Sequence, residues 1–132
     1  MSTELTLLTW TLILALVQIF AAAGARTQQF GMKWNAGPRD EELPPLNPVA
    51  GRLVRAQANL FETLPLFIAA VLMAHLAGKE GGVTTLGCWL YLVGRVAYVP
   101  LYAMGVPGIR SLAWGVALAG LVMIVVRLLG VA

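Results

Sequence analysis

Residues 49–78 read VAGRLVRAQANLFETLPLFIAAVLMAHLAG. The run is mostly apolar and longer than the roughly 20 residues a helix needs to cross the hydrocarbon core of a bilayer. It has no strand-like alternation, so a membrane helix is expected. Yet its first half carries Arg52, Arg55, Asn59 and Glu62. Ionisable groups in such a segment are costly and are kept for function. The stretch therefore predicts both a membrane-spanning helix and a polar site on it.

Three more apolar stretches flank it, Leu5 to Ala25, Val83 to Met104 and Ser111 to Val131. Of the 132 residues, 59% are hydrophobic and 11% charged, against roughly a quarter charged in a soluble globular protein. Only helices and closed barrels satisfy their backbone hydrogen bonds in lipid, and the alternation of a barrel is missing. The expectation is an all-α, integral membrane four-helix bundle in which residues 1–132 form one domain. The run Ala21-Ala22-Ala23-Gly24-Ala25 resembles a cleavage site, but the segment before it carries Glu4, no basic residue and too long an apolar run for a signal peptide. It is read as a retained helix. The single cysteine, Cys88, is read as a small buried apolar residue.

The net charge of +3 is unevenly placed. Arg26, Lys33, Arg39 and Arg52 lie in or beside the connection after the first stretch, and Arg110 follows the connection after the third. With four spans these two connections share a side, which the positive-inside tendency assigns to the cytoplasm, with both termini opposite. No basic tract of the kind a phosphate backbone requires is present, so nucleic acid is not an expected partner. The segment TQQFGMKWNAGPRDEELPPLNP, residues 27–48, is rich in glycine, proline and polar residues and is expected to be the one extended non-helical segment, a candidate lid or binding loop. Asn47-Pro48 reads as a helix start, asparagine capping and proline in the first turn.

At about 100° per residue, Arg52, Arg55, Asn59 and Glu62 fall within an arc of roughly 80°, while Gln57 points elsewhere. Arg55 and Glu62 are separated by about 10 Å of helix, too far to pair directly. In the third stretch Tyr91, Arg95, Tyr98 and Tyr102 form a second stripe within roughly 60° of arc. Together with Arg110 these stripes predict a pocket of several cations, one carboxylate, an amide and phenolic hydroxyls. Arg52, near a membrane end, is read as an interfacial anchor in preference to a ligand contact. His75 is read as interfacial or bundle-facing, with no acidic neighbour and no metal role, and the four tryptophans as anchors or packing. No metal-ligand cluster, phosphate loop or catalytic triad is recognised.

Such a pocket suits a peptide-like zwitterion. The runs RAQANLFETLPLF (55–67) and GRVAYVPLYAMGVPGIRSLAW (94–114) resemble the MAPEG superfamily, the membrane-associated proteins of eicosanoid and glutathione metabolism, in particular its microsomal glutathione transferase-like members. The resemblance covers all four stretches. It implies a homotrimer with glutathione, the co-substrate, bound at each subunit interface. On that basis Arg55, Asn59, Glu62, Tyr98 and Tyr102 hold glutathione, and Arg95 joins them from the same stripe. Gln57 contributes from a neighbouring subunit, Arg26 stands for an arginine at the end of the first helix, and Arg110 stabilises the thiolate. Thr63 departs from the tyrosine that follows the glutamate in leukotriene-forming members, which bears on the lipid substrate.

The implied activity is a glutathione transferase, with peroxidase activity as a variant, acting on a lipophilic small molecule or lipid among membrane lipids. A bacterial member in the inner membrane is expected, with its site open to the cytoplasm. The alternatives are a non-catalytic lipid- or glutathione-binding protein of the same fold and a small transporter. The retained glutathione residues disfavour the non-catalytic branch, and the lack of repeat halves disfavours a transporter.

Overall fold

The computed structural model describes residues 1–130. Five helices follow in order, α1 (Thr3–Phe30), α2 (Met32–Ala36), α3 (Pro48–Leu76), α4 (Gly82–Ala103) and α5 (Ile109–Leu128). All but the short α2 are long and apolar enough to cross a membrane, so the protein is a multi-pass membrane bundle. Large apolar side chains such as Phe20, Leu66 and Leu112 stand exposed on its outside, as a lipid-facing surface requires. Ser2 caps α1 by accepting from the Leu5 amide at 3.2 Å. Asn47 caps α3 as expected, its Oδ1 accepting from the Ala50 amide at 2.9 Å, with Pro48 in the first turn.

The most extensive helix contact is between α4 and α5, because small residues let the two backbones approach closely. A Cβ built on Gly87 would stand 2.6 Å from the Gly120 carbonyl oxygen, and one on Gly94 2.7 Å from that of Ala113. Beside this hairpin, α1 and α3 complete a core of fully buried Leu60, Phe67, Val71 and Ile124. Tyr91 belongs to this core and not to a pocket. Its ring stacks on Phe67 at 3.9 Å and its hydroxyl meets Thr63 Oγ1 at 2.9 Å, a satisfied polar group in an apolar layer.

The helices are flush at one end. There Ser2 Oγ donates to Glu80 Oε2 at 2.7 Å, the Thr84 and Thr85 hydroxyls donate to the buried Glu4, and Lys79 Nζ donates to the Leu128 carbonyl at 2.9 Å. With 28 and 29 residues, α1 and α3 outrun α4 and α5, which have 22 and 20. At 1.5 Å per residue α1 runs about 8 Å beyond the apolar stretch that ends at Ala25, through Phe30.

Two expectations are corrected. The connection after the first span is not non-helical throughout: α1 continues through Phe30, and α2 takes Met32–Ala36. Polar residues such as Gln28 and Gln29 are compatible with helix once it has left the hydrocarbon. Gln29 also ties the helix end to α3, donating to the Pro45 carbonyl at 3.0 Å and accepting from the Asn47 amide at 2.7 Å. Nor is His75 without an acidic neighbour, since its Nδ1 lies 3.1 Å from Glu80 Oε1. The tight α3–α4 turn folds Glu80 back onto the last turn of α3. The last stretch, expected to reach Val131, ends as helix at Leu128, and position 131 itself lies outside the described residues.

Candidate functional site

The two polar stripes meet near the basic end, where α3, α4 and α5 converge. Arg95 is fully buried. Its Nη1 donates to Asn59 Oδ1 at 2.8 Å, and its guanidinium lies 4.5 Å from the Tyr98 ring centroid. Its Nε and Nη2 have no hydrogen-bond partner among the described residues. One turn on, the Tyr98 and Tyr102 rings lie 5.4 Å apart.

Tyr102 gathers two more cations. Arg55 Nε donates to its hydroxyl at 3.1 Å, with the guanidinium 5.9 Å from the ring centroid, and the Arg110 guanidinium lies 4.7 Å from the same ring. Each such cation–ring contact contributes about 0.5–2 kcal/mol, depending on desolvation. Among the described residues, neither guanidinium has a carboxylate within salt-bridge distance. Among the described residues the one ion pair at that distance is His75–Glu80, at the other end of the bundle. Cations brought together without counterions favour an anionic occupant.

Asn59, Tyr98, Tyr102 and Arg110, with Ser111 and Trp114, line a cavity of about 250 Å³. Glu62 does not line it. It is exposed, but close enough for its charge to act on Arg95 and Tyr98. Arg52 points away: its Nη1 donates to the Ala103 carbonyl at 3.4 Å, and its guanidinium packs on Gly105, whose φ of 70° closes the end of α4. A cation on the last carbonyls of a helix is a structural contact. Gln57 is half-buried away from the cavity and has no hydrogen-bond partner among the described residues. Arg26 stands near the end of α1 with its Nε buried and unpartnered.

Two lining residues escaped the reading of the sequence. Ser111 follows Arg110, and Trp114 lies one turn beyond it. Helical periodicity applied to the last stretch places Arg110 and Trp114 on one face. The signal was masked because tryptophan in a membrane helix ordinarily reads as an anchor. Among the described residues no three His, Cys, Asp or Glu side chains gather as a metal site.

No curated protein and no solved structure matches the chain. The family model for the MAPEG family does match it, over residues 7–130.

Proposed function

Because the chain belongs to the MAPEG family, and so to membrane glutathione or eicosanoid metabolism in general, we propose that it is a glutathione transferase, with peroxidase activity as the variant, acting on lipophilic electrophiles. The observation that carries this reading is the convergence of Arg55, Arg95 and Arg110 on Asn59, Tyr98 and Tyr102, with no carboxylate among the described residues within salt-bridge distance of them. Glutathione has two carboxylates, one ammonium and a thiol. The guanidiniums suit the carboxylates, Glu62 suits the ammonium, and Asn59, Tyr98 and Tyr102 supply hydrogen bonds to the peptide groups.

The cavity of about 250 Å³ is smaller than the roughly 300–1,000 Å³ usual for a ligand site. Neither Gln57 nor Arg26 lines it, and Arg26 Nε is buried with no hydrogen-bond partner among the described residues. Both features fit a site completed by a neighbouring copy, the arrangement the resemblance implies as a homotrimer. The positive-inside tendency places the site toward the cytoplasm, in a bacterial member at the inner membrane.

Arg110 is the proposed catalytic residue. A guanidinium beside the bound sulfur favours thiolate over thiol, each unit of lowered pKa corresponding to about 1.4 kcal/mol. The thiolate sulfur then forms a bond to the electrophilic carbon as the leaving group departs with its electron pair. In the peroxidase variant two glutathiones reduce a hydroperoxide to an alcohol and water, and become the disulfide.

Calorimetric titration tests the reading. Arg55→Ala and Glu62→Gln should each weaken glutathione binding by about 1.5–3 kcal/mol, the worth of a charge-assisted hydrogen bond. Wild-type affinity in both folded variants would sink it. A second reading, lipid binding without catalysis, is favoured by an apolar groove of about 650 Å³ between α1 and α4, lined by Leu7, Trp10, Val17, Trp89 and Val96 among others. Tight binding of a fatty acyl ligand with no glutathione binding would establish it instead.

A further inference from the structure

A separate cavity of about 470 Å³ lies around α2 and the residues after it, lined by Phe30, Lys33, Trp34, Arg39, Asp40 and Glu41, with Gly37 and Pro38 between them. Four charges, two of each sign, face this space, and none is within salt-bridge distance of another. The arrangement is held in place. Arg39 has a left-handed backbone, φ 62°, uncommon for a side chain of its size. Its Nη2 donates to both the Asn35 carbonyl at 3.1 Å and Asn35 Oδ1 at 2.7 Å, while Asn35 Nδ2 donates to Thr27 Oγ1 on α1 at 3.0 Å. This chain fixes the guanidinium 4.6 Å from the Trp34 ring centroid and leaves its Nε and Nη1 uncommitted among the described residues.

The location defines the solvent. α4 and α5 have the length of the hydrocarbon core, about 30 Å, and the headgroup layers add about 5–8 Å on each side. The last turn of α1, beyond the apolar stretch that ends at Ala25, and the cavity beside Phe30 stand at that depth. A polybasic anchor for anionic lipid would carry an excess of cations, whereas this cavity balances two cations with two carboxylates. One face of Trp34 is covered by Arg39, and Phe30 packs edge-on at 4.9 Å. The aromatic box that selects a quaternary ammonium is therefore lacking, while a primary ammonium has three N–H donors for the carboxylates.

We propose that this cavity binds the phosphoethanolamine headgroup of a membrane phospholipid, its phosphate on Lys33 and Arg39 and its ammonium on Asp40 and Glu41. The lipid fastens the first connection to the membrane surface, apart from the thiol site.

Native mass spectrometry of the full-length protein in detergent, titrated with dihexanoyl phosphatidylethanolamine, tests this. Saturable binding of one lipid per chain is expected, at least tenfold tighter than dihexanoyl phosphatidylglycerol. Asp40→Asn combined with Glu41→Gln should weaken the ethanolamine lipid about tenfold and reverse that preference. Arg39→Gln should weaken both lipids and leave glutathione affinity unchanged. Equal binding of the two lipids by the wild type would overturn the proposal without any variant. So would variants that bind the ethanolamine lipid as the wild type does, displacement of the lipid by glutathione, or free phosphoethanolamine binding as tightly as the lipid.

Discussion

Tyr102 presents one ring to two guanidiniums, and the two arginines differ in what else holds them. Arg55 also hydrogen-bonds the Tyr102 hydroxyl, whereas Arg110 has the ring contact and no hydrogen bond among the described residues. Arg110 is thus the cation most free to turn toward a developing anion in the cavity it lines. On the proposed function, Arg110→Ala keeps glutathione affinity within a few-fold, since the α3 and α4 groups remain, but lowers conjugation of an aryl halide by roughly 10²-fold, as loss of an electrostatic stabiliser does. Arg110→Lys does not restore the rate, because a point charge on another stem does not reproduce the guanidinium geometry. Thiolate absorbance at neutral pH should fall in parallel; full activity with an unchanged thiolate signal would return Arg110 to an anchoring role. Periodicity placed Arg55, Asn59, Tyr98 and Tyr102 on converging faces. It could not separate Tyr91 from them, because which end of a stripe meets a cavity and which meets Phe67 depends on the neighbouring helix.

Among the elements, the α4–α5 hairpin depends on glycines where a side chain has no room. A Cβ at Gly94 would meet the Ala117 amide nitrogen at 2.8 Å as well as the Ala113 carbonyl. Gly94→Ala must therefore spread the two backbones, with an expected loss of about 1–3 kcal/mol, the usual range for overpacking. Gly24, inside α1, has nothing within 4 Å of a built Cβ, so Gly24→Ala should gain about 0.5–1 kcal/mol by removing backbone freedom in the helix. Thermal unfolding of the two variants in one detergent compares them directly, and shifts of the same sign would contradict the packing account. The spans were readable from apolar length alone. The extension of α1 to Phe30 was not; its end meets the chain before α3 through Gln29, in hydrogen bonds between residues 16 and 18 positions apart.

At the scale of the whole molecule, the flush end works as a clasp between α1 and the α3–α4 turn. The hydrogen bond from Ser2, with His75 alongside, holds the Glu80 carboxyl below its ordinary value near 4.5, partial burial opposing the shift. A carboxylate whose folded pKa is depressed contributes stability that is fully present above the unfolded value and lost as pH falls through the folded one. The melting-temperature gap between wild type and Glu80→Gln should therefore be largest at neutral pH and close below about pH 4. A gap independent of pH would remove the clasp from the stability of the fold. At the basic end, the buried Arg26 Nε has no hydrogen-bond partner among the described residues, and a neighbouring copy can supply one where lipid offers none. Native mass spectrometry should accordingly find an oligomer, a trimer by the family resemblance, and a stable monomer that still binds glutathione would contradict this.

From the sequence alone came the membrane as solvent, four spans, the capped start of α3, the polar faces of two helices and the resemblance to the family whose model matches the chain. These depend on composition and on the helical repeat, which act over a few turns and need no knowledge of neighbours. Only the tertiary structure decided that Arg52 caps α4, that Tyr91 is core, that Ser111 and Trp114 wall the cavity, and that two cations and two carboxylates share a space beside α2 without pairing. Those outcomes turn on relative helix height and on the direction in which loops return. Both are set by packing between distant segments, and no local pattern encodes them.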